Sequence, residues 1–228
     1  MVAPATAVEG LPGFGEGVFR VQDTSAQRAL GLLPLRRGDR VLDACAAPGG
    51  KTFLLSEQAD VDIWAVDASA RRLARLGKEW IRIRPRFGHA QVFPFVADLS
   101  QALWPAGLPT LYDHVVLDAP CSGSGVVRRH PESAWVRRES EVEALVALQS
   151  VLLDRLWRVL RPGGQLLYIT CSVFPQEGEA QILAFLARTP DAIRRPAPGQ
   201  ILPYYLDDGS LCVSGDGFFY ARLEKRLT

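Results

Sequence analysis

The fold predicted by this 228-residue sequence is α/β, with a doubly wound, mostly parallel sheet. Three observations carry that expectation. Short apolar runs alternate along the chain with longer stretches of helical periodicity. The runs are apolar at successive positions, as in strands covered on both faces. A turn containing Pro48-Gly49-Gly50 follows the first strand, where such folds pass from strand to helix.

Residues 1 to 20 are rich in Ala, Pro and Gly and predict an irregular lead-in. Asp23-Thr24-Ser25 offers an N-cap for a short helix over Ala26 to Leu33, closed by Pro34 and Gly38. Residues 1–35 are expected to pack on one larger domain, 36–228. In that domain Arg40 to Ala44 and Val61 to Val66 predict the first two strands. Gln91 to Ala97 predicts a weaker third, because Pro94 cannot donate to a ladder. Between the second and third, Ser69 to Arg84 carries Leu73, Leu76, Trp80, Ile81 and Ile83 at roughly helical spacing. Tyr112 to Leu117 and Gln165 to Thr170 predict the fourth and fifth strands. A long amphipathic helix, Glu139 to Leu160, lies between them and stops at Arg161-Pro162-Gly163-Gly164. A helix over Gln176 to Ala187 and a strand over Gly217 to Leu223 close the chain, with no internal repeat or interior linker.

With 26 Lys plus Arg, 25 Asp plus Glu and 48% hydrophobic residues, the chain sits near the globular average, which excludes wholesale disorder. No apolar run approaches the about 18 residues a bilayer crossing requires, and no signal-peptide pattern opens the chain. A cytoplasmic protein without a membrane partner is the expectation. Cys45, Cys121, Cys171 and Cys212 form no C-x-x-C pair, so free thiols and no metal site are expected. The charge is uneven: Arg71, Arg72, Arg75, Lys78, Arg82, Arg84 and Arg86 stand against Glu79 alone. Arg128, Arg129, Arg137 and Arg138 form a second cluster around His130. Such clusters suit phosphate contacts or form a solvated face.

Ligands of doubly wound sheets bind beyond the carboxyl ends of the strands. The first strand runs into Asp43-Ala44-Cys45-Ala46-Ala47-Pro48-Gly49-Gly50-Lys51-Thr52, which is neither a phosphate-binding Walker A loop nor a G-x-G-x-x-G turn. Asp67, Asp98 and Asp118 end the next three strands. Together they describe a pocket for a nucleoside with hydroxyls and an amino group but no phosphate, which S-adenosylmethionine fits. Cys121 and Cys171 follow the fourth and fifth strands among Pro, Ser and Gly, poor core formers that favour chemistry at these thiols. Cys45 and Cys212 are expected to be packing residues.

A thiol beside a methyl donor suits methylation of a carbon without a lone pair. Cytosine C5 is such a carbon: a thiolate adds at C6, the methyl reaches C5, the C5 proton leaves and the thiol is expelled. An ordinary thiol, of pKa about 8.5, is only a few per cent thiolate near neutrality. A neighbouring Arg or Lys51 is therefore expected to favour the charged form. A second thiol near the leaving proton gives Cys121 a role as base in product release.

Val21-Gln22-Asp23, the Asp43–Thr52 turn, Asp118-Ala119-Pro120-Cys121-Ser122-Gly123-Ser124-Gly125, Arg128-Arg129-His130-Pro131-Glu132, Thr170-Cys171-Ser172 and Gly215-Asp216-Gly217-Phe218-Phe219-Tyr220-Ala221 resemble the RNA 5-methylcytosine methyltransferases of the RsmB/Sun type. The resemblance runs from about Gly17 to Lys225. It implies a Rossmann-like class I methyltransferase fold, S-adenosyl-L-methionine as cofactor, no metal, and RNA, above all 16S ribosomal RNA, as substrate. It also implies that Cys45, Ala46, Ala47, Pro48, Gly49, Gly50, Lys51, Asp67, Asp98 and Asp118 line the cofactor site. Cys171 is then the nucleophile and Cys121 the thiol assisting release, while Cys45 contributes backbone and its sulfur does nothing. Asp118 also stands to hydrogen-bond the cytosine edge, and the target base must be single-stranded or extruded. Such enzymes usually carry a helical NusB-like RNA-binding domain before the catalytic domain, and here it is expected to be absent. The alternatives are methylation of tRNA or another RNA, and a non-catalytic assembly module that binds the cofactor or RNA.

Overall fold

The computed structural model describes residues 7–29, 31–86, 90–132, 135, 137–202, 204–205, 211–212 and 215–227, the two short pairs by backbone alone. The strands are β1 (Arg40–Ala44), β2 (Asp62–Asp67), β3 (Gln91–Val96), β4 (Tyr112–Asp118), β5 (Leu160–Thr170), β6 (Ala192–Ile201), β7 (Tyr204–Tyr205), β8 (Leu211–Cys212) and β9 (Phe218–Lys225). The helices are α1 (Thr24–Gln27), α2 (Gly50–Gln58), α3 (Ala70–Ile83), α4 (Glu139–Arg158) and α5 (Glu179–Arg188). Seven strands form one sheet in the order β3-β2-β1-β4-β5-β9-β6. The first five run parallel, and β9 lies antiparallel to both of its neighbours.

Alternation along the central strands explains their continuous apolar runs. Leu42, Leu117, Leu166 and Tyr168 pack with Leu153 and Leu156 of α4 and Phe185 of α5. Their neighbours Val41, Val116, Leu167 and Ile169 pack on the opposite face with Leu54 and Leu55 of α2. Both faces are thus covered, and every residue of the run has a core to enter. β3, with Pro94, and β6, with Pro196 and Pro198, are the two edges of the sheet. There a missing N–H leaves no neighbour unpaired.

The structure departs from expectation in several places, the short pair β7–β8 among them. α1 is shorter than Ala26 to Leu33, although Asp23 caps it by accepting from Ser25 and Ala26 N–H. Arg161-Pro162-Gly163-Gly164 ends no helix. α4 already ends at Arg158, and these residues lie in β5, whose pairing with β4 jumps from Tyr112↔Leu160 to His114↔Gln165. Gly163, at φ 77°, takes the left-handed conformation in that irregularity. α5 starts later than Gln176, after a short 3-10 turn over Pro175–Glu177. The edge strand β6 went unseen because its prolines mask an alternating pattern of burial.

From residue 7 on, the lead-in lies over α2 and α3. Arg82 of α3 donates to the carbonyls of Phe14 and Phe19, and its guanidinium sits 4.0 Å from the Phe14 ring centroid. Arg20 pairs with Glu57 of α2 at 2.9 Å. Among the described residues no helix is long and apolar enough to cross a membrane.

Candidate active site

The carboxyl ends of β1, β2 and β3 surround a cavity of about 270 Å³. β1 leaves the sheet through Cys45, a non-glycine residue at φ 61°. The turn then reaches Gly49, at φ 114°, where an added Cβ would stand 2.5 Å from the Phe53 ring, so the approach of α2 requires glycine. Asp67 ties this turn to α3: one carboxylate oxygen accepts from Ala47 N–H at 3.2 Å, and the other accepts from Ser69 N–H at 2.8 Å and Arg72 at 2.9 Å. Asp98 accepts from the Ser100 hydroxyl, the Gln101 amide and the Ser100 N–H, which hold its carboxyl below the usual range. Asp67 and Asp98 line the cavity with Cys45, and Val66, Leu99, Pro120, Leu148 and Leu152 supply apolar walls. Acceptors beside an apolar slot suit ribose hydroxyls and a purine ring, so these residues fit S-adenosylmethionine. Burial pushes the Cys45 thiol up to about 12, which leaves its sulfur unreactive.

Lys51, Asp118, Cys121 and Cys171 meet beside this cleft, at the ends of β4 and β5. Lys51, on the first turn of α2, is almost fully buried and reaches Asp118 at 2.9 Å. Burial pulls its ammonium down, but Asp118, Cys171 and Asp43 outweigh that and leave it above its ordinary value. Asp43 is fully buried, and burial raises its carboxyl to about 7 although Thr52 donates to it at 2.6 Å. The sulfurs of Cys121 and Cys171 are 3.4 Å apart, and both cysteines are free. A hydrogen bond from Cys121 lowers the Cys171 thiol against the effect of burial, and Lys51 lowers it further. Cys121, as the donor to Cys171, is held in its protonated form, and burial adds to this. Asp118 opposes the lowering at Cys171, while the Lys51 charge favours the thiolate there.

Glu177 joins the two thiol loops, and the sequence reading missed it. Its buried carboxylate accepts from Ser122 N–H at 2.8 Å, Ser172 Oγ at 2.7 Å, Gln149 Nε2 at 3.1 Å and the Ser122 hydroxyl. Ser122 follows Cys121 and Ser172 follows Cys171, so one carboxylate fixes the residue beside each sulfur. The recurrence of Cys-Ser at both strand ends was the only signal in the sequence. Gly125 adds a second tie: its N–H donates to Cys171 O at 3.0 Å, and a Cβ there would meet Gly217 O at 2.0 Å.

Not every expected site residue meets the others. Ala46, Ala47, Pro48, Gly49 and Gly50 form the turn, but they do not line the cavity that Cys45, Asp67 and Asp98 share. Arg128 and Arg129, open to a phosphate reading in the sequence, both pair with buried Asp216, and Arg128 also approaches Asp23 at 3.9 Å. Three of the motifs behind the family resemblance therefore converge on one ion cluster. Within the first basic cluster, Arg72 pairs with Asp67 and Arg82 with Glu79, while Arg71, Arg75, Lys78, Arg84 and Arg86 are exposed. The side chain of Cys212 lies outside the described residues.

The sequence profile of the family described as 16S rRNA methyltransferase RsmB/F matches residues 30–224. The ribosomal RNA small subunit methyltransferase B of Cronobacter sakazakii is 43% identical over 227 residues, which are 98% of this chain and 51% of that protein. The protein of the same name from Vibrio cholerae is 44% identical over 96% of this chain and 49% of its own length. The chain thus spans about half the length of the curated relatives it matches. Among solved structures, PH0851 is 34% identical with a TM-score of 0.81, over 97% of this chain and 50% of that one. NSun6 from Pyrococcus horikoshii with SFG, 22% identical over 98% of this chain and 57% of that one, shares the fold at a TM-score of 0.79. The sheet is that of the Rossmann-like S-adenosylmethionine-dependent methyltransferases, and the chain belongs to the RsmB/F family of 16S rRNA methyltransferases.

Proposed function

We propose that this chain forms 5-methylcytosine in RNA, with 16S ribosomal RNA as substrate and S-adenosylmethionine as methyl donor. The observation that carries this reading is the pair of sulfurs 3.4 Å apart beside the Lys51–Asp118 ion pair. Cys45, Asp67 and Asp98, with the apolar walls of their cleft, would hold the cofactor, which when bound supplies an electrophilic methyl group. Cys171 adds as thiolate to cytosine C6, and the electron pair displaced from the C5–C6 double bond makes C5 nucleophilic. Cys121 and Lys51 favour the Cys171 thiolate before attack, and Asp118 would accept from the cytosine amino group.

Cys171 loses its negative charge when its sulfur bonds to carbon. The acceptor that held the Cys121 proton is then gone, and Cys121 gives that proton up to solvent. Once deprotonated, Cys121 takes the proton from methylated C5; the electron pair reforms the C5–C6 double bond and expels the Cys171 thiolate. Replacing Cys121 should therefore stop the cycle at a protein–RNA bond. With 16S ribosomal RNA and S-adenosylmethionine, Cys121→Ala is expected to give an RNA-linked band on a denaturing gel, and Cys121→Ala/Cys171→Ala none. A band that survives in the double variant contradicts the assignment of the nucleophile.

A further inference from the structure

A second cavity of about 270 Å³ is lined by Arg137, Arg138, Glu139, Val142, Phe174 and Gln176. It shares no lining residue with the cofactor cleft. The loops that carry the thiols link the two. Pro120 lines the cofactor cleft, Cys121 follows it, and Ser122 carries on its carbonyl the Arg137 guanidinium of the second cavity at 2.9 Å. The β5 side repeats the arrangement: Phe174 lies three residues after Cys171, and its N–H donates to Ser172 Oγ at 3.0 Å. Phe174 is half-buried, and the Arg137 guanidinium is 5.6 Å from its ring centroid. Arg138 is exposed at the N-terminus of α4.

An aromatic face, two arginines and the apolar side of Val142 match the chemistry of an unpaired nucleotide: a base to stack, a phosphate to pair. Extruding a target base deprives its neighbours of a stacking partner, and an aromatic side chain next to the reacting atoms replaces it. We infer that this cavity holds the nucleotide adjacent to the target cytosine, its base stacked on Phe174 and its phosphate met by Arg138. The inference rests on the RNA methylation proposed above and adds a subsite that sets the sequence context of the methylated cytosine.

A comparison of the full chain with Phe174→Ala and Phe174→Trp tests it, on a short RNA spanning the methylated cytosine and on two copies abasic at either neighbour. One base stacked on an aromatic side chain corresponds to a loss of about tenfold in kcat/KM when the ring is removed. Phe174→Ala is expected to show that loss on intact RNA, chiefly in KM, and none beyond the parent chain on one of the two abasic RNAs. Phe174→Trp is expected to keep the parent rate, and cofactor affinity, unchanged in both variants, reports an intact fold. Equal losses for Phe174→Ala on all three RNAs, or no loss on any, would overturn the subsite while leaving the methylation reading in place. No 5-methylcytidine from the parent chain on any RNA, 16S ribosomal RNA included, would overturn both.

Discussion

The strand-end rim has two halves that are held in different ways. At β1, β2 and β3 the acids are mostly fixed by neighbours in sequence: Asp98 by Ser100 and Gln101, Asp67 by Ser69 and Arg72, with one longer tie to Ala47. At β4 and β5 the reactive residues are fixed from a distance, because Glu177 reaches Ser122 across 55 positions and Gln149 across 28. Local caps and turns shape the cofactor cleft. A buried carboxylate with several donors instead locks two sulfurs at one separation, which a two-thiol reaction requires.

Breaking that lock should give the largest effect. Glu177→Ala removes the acceptor that Ser122, Ser172 and Gln149 share, and each buried donor left unpaired costs about 1–3 kcal/mol. The expected result is a fall in denaturation midpoint together with loss of methyl transfer. Glu177→Gln, which keeps the shape, should lose less stability yet still slow alkylation of Cys171, while cofactor affinity stays near that of the parent chain. If cofactor binding falls as far as thiol reactivity, the two halves are not separately held.

A smaller effect is expected at the ion cluster behind the thiol loops. Arg128→Ala/Arg129→Ala strips buried Asp216 of its cationic partners, and stability should drop by about 1–3 kcal/mol. RNA affinity and its salt slope should stay nearly unchanged, because both charges are already committed. A salt slope that falls with little change in stability would return these arginines to the RNA surface.

The smallest and sharpest effect concerns Lys51, which starts in the cofactor half on α2 and ends against Asp118 in the thiol half. Cys171 carries a lowered pKa, so its thiolate, and its alkylation by iodoacetamide, should persist below the ordinary thiol range and be lost as pH falls through the lowered value. Lys51→Met removes a positive charge that favours the thiolate, and the alkylation profile should move to higher pH. An unmoved profile would assign the shift to Cys121 alone.

How much of this was legible in the sequence follows the same division. The five parallel strands, the Gly49 turn, the three strand-end acids and the two strand-end cysteines could be read because each rests on a run or motif of a few residues. β6 escaped because Pro196 and Pro198 break its pattern, and only its place at the sheet edge makes them harmless. The Arg161–Gly164 stretch misled because proline and glycine mark a bulged strand as readily as a helix end. Glu177 and the Asp216 ion cluster escaped because their roles exist only once distant loops meet. A glutamate in Pro175-Gln176-Glu177 looks like any exposed charge until four donors close around it.

The central claim, that Cys171 makes this fold a cytosine methyltransferase, is tested most directly by nucleoside mass spectrometry. The assay uses 16S ribosomal RNA incubated with the purified chain and methyl-labelled S-adenosylmethionine, with Cys171→Ala in parallel. Labelled 5-methylcytidine is expected from the parent chain and none from the variant, with cofactor affinity equal in the two. Label in 5-methylcytidine that persists in Cys171→Ala, or that appears only in another nucleoside, would contradict the account.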